Sequence, residues 1–170
     1  MAKVPSLFFA PFVSSIMTIE AGWIDFRGHL NMAYYHVLLD RAMNEAFDLI
    51  GLQEDLHATR GATTFAAENH IVYHRDLKFG DPVRATAQLI DFDATRLHVY
   101  LELRQASEGW LAASAESLFV HADLQTREAV PFPQAIQDNL MVMRAAHARL
   151  PKPSDLTQTP GIAKQKSRLN

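Results

Sequence analysis

The sequence predicts an α+β fold in which an antiparallel sheet wraps around one long helix. Three observations predict it. A single strong helical repeat runs from Asn31 to Ile50. Four strand patterns follow one another over residues 64–123, separated by turns of hairpin length. One long helix with an apolar face then has only that sheet to bury against, and consecutive hairpins make the sheet mainly antiparallel.

Residues 14–24, SSIMTIEAGWI, read as a first strand, and Asp25, Phe26, Arg27 and Gly28 as a turn. Asn31 is the expected N-cap, because its short side-chain oxygen can take a backbone N–H of the first helical turn. Tyr35, Leu38, Leu39, Ala42, Ala46, Leu49 and Ile50 recur at helical spacing and mark one buried face. Gly51 suits the left-handed residue that ends such a helix. A short helical turn is expected at residues 53–58. The next strand is TTFAAENHIVYHRDL. Gly80 and Asp81 turn the chain into VRATAQLIDF, and Asp93, Ala94 and Thr95 turn it into RLHVYLELRQ. There Leu97, Val99, Leu101 and Leu103 point one way, and Arg96, His98, Tyr100, Glu102 and Arg104 the other. Glu108 and Gly109 lead into WLAASAESLFVHAD. Pro131 and Pro133 introduce a last helix at about residues 134–149, with Ile136, Leu140, Met143 and Ala146 on one stripe. A sheet wrapped around a central helix is the hot-dog arrangement.

The 170 residues suit one domain, expected over 1–150. Residues 151–170 carry three prolines and four basic side chains but few large apolar ones, and are expected to form an extended or disordered tail. The net charge of −3 argues against nucleic acid as a partner, since no basic excess is present to neutralise phosphates. The absence of Cys removes disulfides, thiolate metal sites and Cys nucleophiles. No stretch approaches the ~18 apolar residues of a membrane span. The apolar run at 7–10 is interrupted by Pro11 and is shorter than a signal-peptide core. The expected location is the cytoplasm.

The chemistry-rich segment is Trp23-Ile24-Asp25-Phe26-Arg27-Gly28-His29-Leu30-Asn31, followed by Ala33-Tyr34-Tyr35. An acid, a glycine and a histidine sit in a turn that leads straight into a helix. That places a carboxylate beside unpaired N–H groups at a positive helix end. A carboxylate there can act on water or an acyl carbon while the N–H groups hold a developing oxyanion. On spacing alone, however, Asp25 reads as a turn residue that caps its own loop. His29 reads equally as a residue holding the loop, and Asn31 as a helix cap.

The segment resembles the hot-dog thioesterase family that includes 4-hydroxybenzoyl-CoA thioesterase. The resemblance continues through Phe65-Ala66-Ala67-Glu68-Asn69-His70 and Tyr73, and through Gly80 and Asp81, covering about residues 14–125. Trp-x-Asp-x-x-Gly-His-x-Asn together with Glu-x-His-x-x-Tyr is more similar still to the thioesterases associated with carnitine and betaine metabolism. The resemblance implies hydrolysis of a small acyl-CoA to the free acid and coenzyme A, with no cofactor beyond the coenzyme A of the substrate. It makes Asp25 the general base or nucleophile and puts the oxyanion donor at a backbone N–H near Met32. Gly28 and His29 would shape the pocket, and Asn31 would position water or Asp25. It also implies a homodimer or homotetramer whose sites are built from two chains, with Glu68 and His70 facing Asp25 of a partner subunit. Many members carry a second Asp two residues before the catalytic one. Here that position is Trp23, a departure from the family's pattern that bears on the substrate.

Other readings stay open. Trp23, Phe26, Tyr34, Tyr35 and Tyr73 could line an acyl pocket or, for a quaternary ammonium, form a cation–π cage, although aromatics at a sheet–helix junction are commonly core. Glu68, His70 and His74 share a strand face, but no further ligand cluster makes them a metal site. Arg75, Lys78, Arg96 and Arg104 are solvated strand charges or contacts to coenzyme A phosphates. The competing functions are a non-catalytic acyl-CoA-binding protein, a hot-dog enoyl-CoA hydratase or dehydratase, and a purely structural domain.

Overall fold

An apolar stripe along an 18-residue helix must be covered, and the architecture follows from how this is done. The computed structural model describes residues 10–52 and 61–156. The elements in chain order are β1 (Phe12–Val13), β2 (Met17–Thr18), α1 (Met32–Leu49), β3 (Ala62–Tyr73), β4 (Pro82–Phe92), β5 (Arg96–Gln105), β6 (Leu111–Asp123) and α2 (Gln134–His147). The strands form one antiparallel sheet in the order β1-β4-β5-β6-β3, with β2 also paired to β4. β4, β5 and β6 are joined by hairpins, whereas β3 crosses to the far side of β6.

α1 lies on the inner face of this sheet. Beneath it stand small side chains, Ala85 and Ala87 on β4 and Ala113 and Ala115 on β6, all buried. Small residues there let the helix approach the sheet closely. Tyr35, Leu38, Leu39, Ala42, Met43, Ala46, Phe47 and Ile50 fill the space between. Leu49, expected in this stripe, is 39% exposed. At 100° per residue Leu49 falls between Leu38 and Ala42 on the buried side, so its exposure comes from its place in the last turn of the helix and not from phase. Asn31 caps the helix, its Oδ1 accepting from Ala33 N at 3.0 Å. Gly51, at φ 86°, closes it. Asn139 of α2 donates to the Ile50 carbonyl at 3.0 Å, so the second helix satisfies the end of the first.

The expected first strand over 14–24 is corrected to two short pieces. The hydroxyl of Ser14 takes the Ala85 N–H at 3.0 Å, a place a strand carbonyl would fill. Glu45 of α1 binds Ser15 through both its N–H and its hydroxyl. The chain leaves the ladder there, rejoins it at β2, and then forms a 3-10 turn at Ala21–Trp23. β3 is also shorter than expected. After Tyr73, His74 N and Arg75 N both turn to Ala112 O, at 2.8 and 3.2 Å, and the segment to Leu77 swings out of the sheet. The helical turn expected at 53–58 lies outside the described residues.

The last described residues, 151–156, run without regular structure over the outer sheet face. Asp155 accepts from Tyr100 Oη at 2.6 Å and from Ser114 Oγ at 2.9 Å. No helix among the described residues is long and apolar enough to cross a membrane.

Leu38 is fully buried under this arrangement. Leu38→Ala should cost about 2–5 kcal/mol in denaturant unfolding. Leu49→Ala should cost under about 0.5 kcal/mol. Equal losses at the two positions would contradict the difference in burial described here.

Candidate active site

Residues 24–30 form a closed loop. Ile24 and Leu30 pair in antiparallel fashion. Inside, Asp25 N donates to His29 O at 2.8 Å and Gly28 N to Asp25 O at 2.9 Å. Gly28 has φ 82°, which glycine adopts without steric penalty. An added Cβ would meet nothing within 4 Å, so the torsion and not crowding calls for glycine. The loop is fastened to its surroundings by Asn31 N to Trp23 O and Leu30 N to Leu77 O, both 2.9 Å. Backbone bonds therefore fix where the side chain of residue 25 stands.

Asp25 Oδ1 accepts from Arg27 N at 2.8 Å and His29 N at 3.3 Å. Its Oδ2 receives the Arg27 guanidinium, with Nε at 3.2 Å and Nη2 at 3.0 Å. Burial pushes the Asp25 carboxyl up, but the Arg27 side chain and the two backbone donors outweigh that and hold it below the usual carboxylate value. At the start of α1, Asn31 Oδ1 occupies Ala33 N, and Tyr34 N turns back to Asn31 O at 3.0 Å. The Met32 N–H has no acceptor among the described residues. It is the bare amide of the helix end.

Asp25 and Met32 line one cleft of about 530 Å³, together with Arg27, His29, Asn31, Tyr35 and Tyr73. Asp76, which no sequence pattern singled out, also lines it and lies 3.4 Å from His29 Nδ1. Tyr73 meets Tyr35 edge-on at 5.1 Å. The Tyr35 hydroxyl accepts from Leu77 N, and burial pushes its pKa above the usual phenol value. His29 and Asn31 thus hold the loop and cap the helix while facing the cleft. Arg27 is a site residue the sequence argument passed over. Its signal was a basic side chain two residues after the acid in a tight turn.

Other expected site residues stand elsewhere. Trp23 and Tyr34, expected to line the acyl pocket, stack on each other at 5.1 Å and 12° outside the cleft. Arg41 covers Trp23 at 5.1 Å from the ring centroid, so a cation of the protein already occupies that aromatic ring. Helical phase is the reason, since Tyr34 points about 100° away from Tyr35. Phe26 is 96% exposed at the loop tip.

Glu68 and His70 share a strand face, but within one chain it is the face away from α1. The cause is a β-bulge between Ala66 and Glu68. Ala66 faces the helix; one extra residue then reverses the alternation. Asn69 therefore faces α1, its Nδ2 3.2 Å from His36 Nδ1 and its Oδ1 accepting from Ser117 Oγ at 3.1 Å. Ile71 packs on the core and Tyr73 on Tyr35. His74 bonds Ser114 Oγ on the outer face at 2.9 Å. Among the described residues no group of three or more His, Cys, Asp or Glu side chains converges as metal ligands would.

Two further cavities flank the cleft. One of about 450 Å³ follows the seam between α1 and β3, past His36, Asp40, Ala66 and Asn69. Another of about 350 Å³ shares Asp76 with the cleft and is lined by Arg75, Lys78 and Trp110. The Arg75 guanidinium lies 4.2 Å over the Trp110 ring.

A sheet curled around one helix, with an acid in the loop before that helix and a bare amide at its first residue, defines a protein of the hot-dog class. The chain belongs to the Thioesterase-like superfamily, whose family model matches residues 19–140. It is 27% identical over 140 residues to a betainyl-CoA thioesterase of Pseudomonas aeruginosa, covering 82% of this chain and 88% of that one. It is 27% identical over 135 residues to an L-carnitine dehydrogenase/betainyl-CoA thioesterase of Rhizobium meliloti. That match covers 79% of this chain but only 27% of the relative's length. Among solved structures, a candidate thioesterase from Pseudomonas putida KT2440 superposes with a TM-score of 0.76 at 28% identity, over 91% of this chain and 98% of that one.

A carboxyl held below its ordinary value stabilises the fold above the unfolded-state value, and that contribution disappears as pH falls through the lower folded-state value. Asp25→Asn should therefore be less stable than the wild type at pH 7. The gap should narrow once pH drops below the ordinary carboxylate range, about 3.9. Denaturation midpoints at both pH values check this, and a gap that widens in acid would contradict the bonding of Asp25 described above.

Proposed function

We propose that the protein hydrolyses a small acyl-CoA to the free acid and coenzyme A. One observation carries the reading: the Asp25 carboxylate and the unpaired Met32 N–H line the same cleft at the start of α1. A thioester carbonyl set against Met32 N would have its developing oxyanion stabilised. Two backbone donors of the closed loop hold Asp25 Oδ1, whereas Oδ2 is engaged only by the exposed Arg27 side chain, which makes Oδ2 the reacting oxygen. It takes a proton from the attacking water, or itself attacks the acyl carbon to give an anhydride that water then opens. Either way the C–S bond breaks and the departing thiolate is reprotonated. The reading calls on no cofactor beyond the coenzyme A of the substrate.

Arg75 and Lys78 in the adjoining cavity, and Arg27 at the rim of the cleft, are the cations placed for coenzyme A phosphates. Arg96 and Arg104 are engaged by Asp93 and Glu102. The acyl group would extend towards Tyr73 and the α1–β3 seam. The names of the relatives make betainyl-CoA the first acyl group to test. With the Trp23 ring taken by Tyr34 and Arg41, a trimethylammonium group would rely on Tyr73 and the Asp76 carboxylate.

β3 is an edge strand of 12 residues paired on one side, to β6. An open edge of this length invites a second copy, and a homodimer along β3 would continue the sheet. Such pairing keeps each face of the sheet on its own side. Asn69 and Tyr73, not Glu68 and His70, then share the face of the cleft.

The test is free-thiol release across short, branched, aromatic and betainyl acyl-CoAs, with Asp25→Asn in parallel. Turnover by the wild type and a loss of at least about 100-fold in the variant are expected. Tight ligand binding without thiol release would favour a binding protein. Enoyl-CoA consumption without thiol release would favour a hydratase.

A further inference from the structure

The Asp25 carboxylate in the structure is not free to react. Both oxygens are engaged, Oδ1 by two backbone N–H groups of the loop and Oδ2 by the Arg27 guanidinium through Nε and Nη2. The backbone bonds belong to the closed loop and cannot be given up without opening it. The guanidinium can. Arg27 sits at the loop tip with its side chain 68% exposed, while the Asp25 side chain it covers is 14% exposed. Among the described residues the other neighbour of that guanidinium is the Phe26 ring, 5.2 Å away and itself in solvent.

An oxygen that accepts two charge-assisted hydrogen bonds is a poor base and a poor nucleophile. We infer that Arg27 is a positioning residue, a removable counter-ion that masks Asp25 Oδ2 in the free protein and is drawn off it by an anionic group of the bound acyl-CoA. The inference rests on the reading of Asp25 proposed above and adds a step to it. Guanidinium is suited to this exchange, because its planar fork binds phosphate as readily as carboxylate. The incoming coenzyme A would bring the phosphates. Withdrawal of Arg27 then unmasks Oδ2 only when a thioester is in the cleft, and water alone does not meet an activated base.

Other charged or titratable groups face Asp25 across the cleft. His29 and Asp76 form their own pair at 3.4 Å, and Tyr35 and Tyr73 stand on the helix and strand walls. None of their side chains bonds either carboxylate oxygen. The masking is therefore specific to Arg27.

The experiment is the pH dependence of both kcat/KM and kcat for Arg27→Gln and Arg27→Lys. The first quantity reports groups of the free enzyme, and the second those of the bound complex. In Arg27→Gln the acid limb of kcat/KM should move to higher pH by about one unit, while the acid limb of kcat stays in place and KM rises. Arg27→Lys should recover part of the shift, since it returns the charge without the fork. A ¹³C titration of the Asp25 carboxyl in the ligand-free protein should rise by the same amount in Arg27→Gln, independently of activity. Limbs that both move would mean that Arg27 stays on Asp25 throughout the reaction, which overturns the release. An unmoved free-enzyme limb and an unmoved ¹³C titration would overturn the masking. Asp25→Asn, assayed alongside, separates the two ideas: near-normal turnover in that variant defeats the role of Asp25 itself.

Discussion

The structure depends on one constraint, that the apolar face of α1 must be dry. The helix carries Tyr35, Leu38, Leu39, Ala42, Met43, Ala46, Phe47 and Ile50 on a single side, all buried. Each large side chain removed from water is worth roughly 1.5–3 kcal/mol, and the sheet supplies the covering surface. Alanines on β4 and β6 let the helix settle close, and α2 covers the remaining end through Ile136, Leu140 and Met143. Once the helix is seated its N-terminus has a fixed address, where Leu30 N bonds Leu77 O and the Tyr35 hydroxyl takes Leu77 N. The bare amide of Met32 is thus brought beside Tyr73 and Asp76, which come from sequence far away.

The loop before the helix solves a different problem. A carboxylate that acts on a carbonyl in the way proposed for Asp25 has to be held, and holding it with N–H donors lowers its basicity. Here the same bonds that position Asp25 keep its carboxyl below the ordinary range. Preorganisation and basic strength therefore oppose each other. The loop divides the work between permanent backbone donors on Oδ1 and an exposed side chain on Oδ2. Only the second can change without unfolding the turn.

Much of the fold was legible in the sequence because its signals are local. The turns at Gly28, Gly80 and Gly109 all carry positive φ, and each follows a strand or loop pattern that ends there. The N-cap at Asn31 and the terminator at Gly51 are short-range devices of the same kind. The alternation of Leu97, Val99, Leu101 and Leu103 is a period-2 pattern that any half-buried strand shows. The loop acid at 25 could be picked out with its glycine, but its partner Arg27 could not be told from an ordinary turn residue. Leu49 was misplaced because its phase is that of the buried stripe, and only tertiary packing decides whether the last turn is covered.

By itself, the sequence determined the order of elements, the long helix and its caps, the hairpins, and a carboxylate poised at the start of that helix. Each of these rests on torsional preference or side-chain periodicity within a few residues. Tertiary structure alone decided which residues face the carboxylate. The bulge at Ala67 carries no glycine or proline to announce it, yet one inserted residue turned Glu68 and His70 outward and Asn69 inward. The contacts of Trp23 with Tyr34 and Arg41, and the arrival of Asp76 beside His29, likewise depend on chain segments meeting in space. Sheet register and helix seating are collective results of core packing, and no short window of sequence contains them.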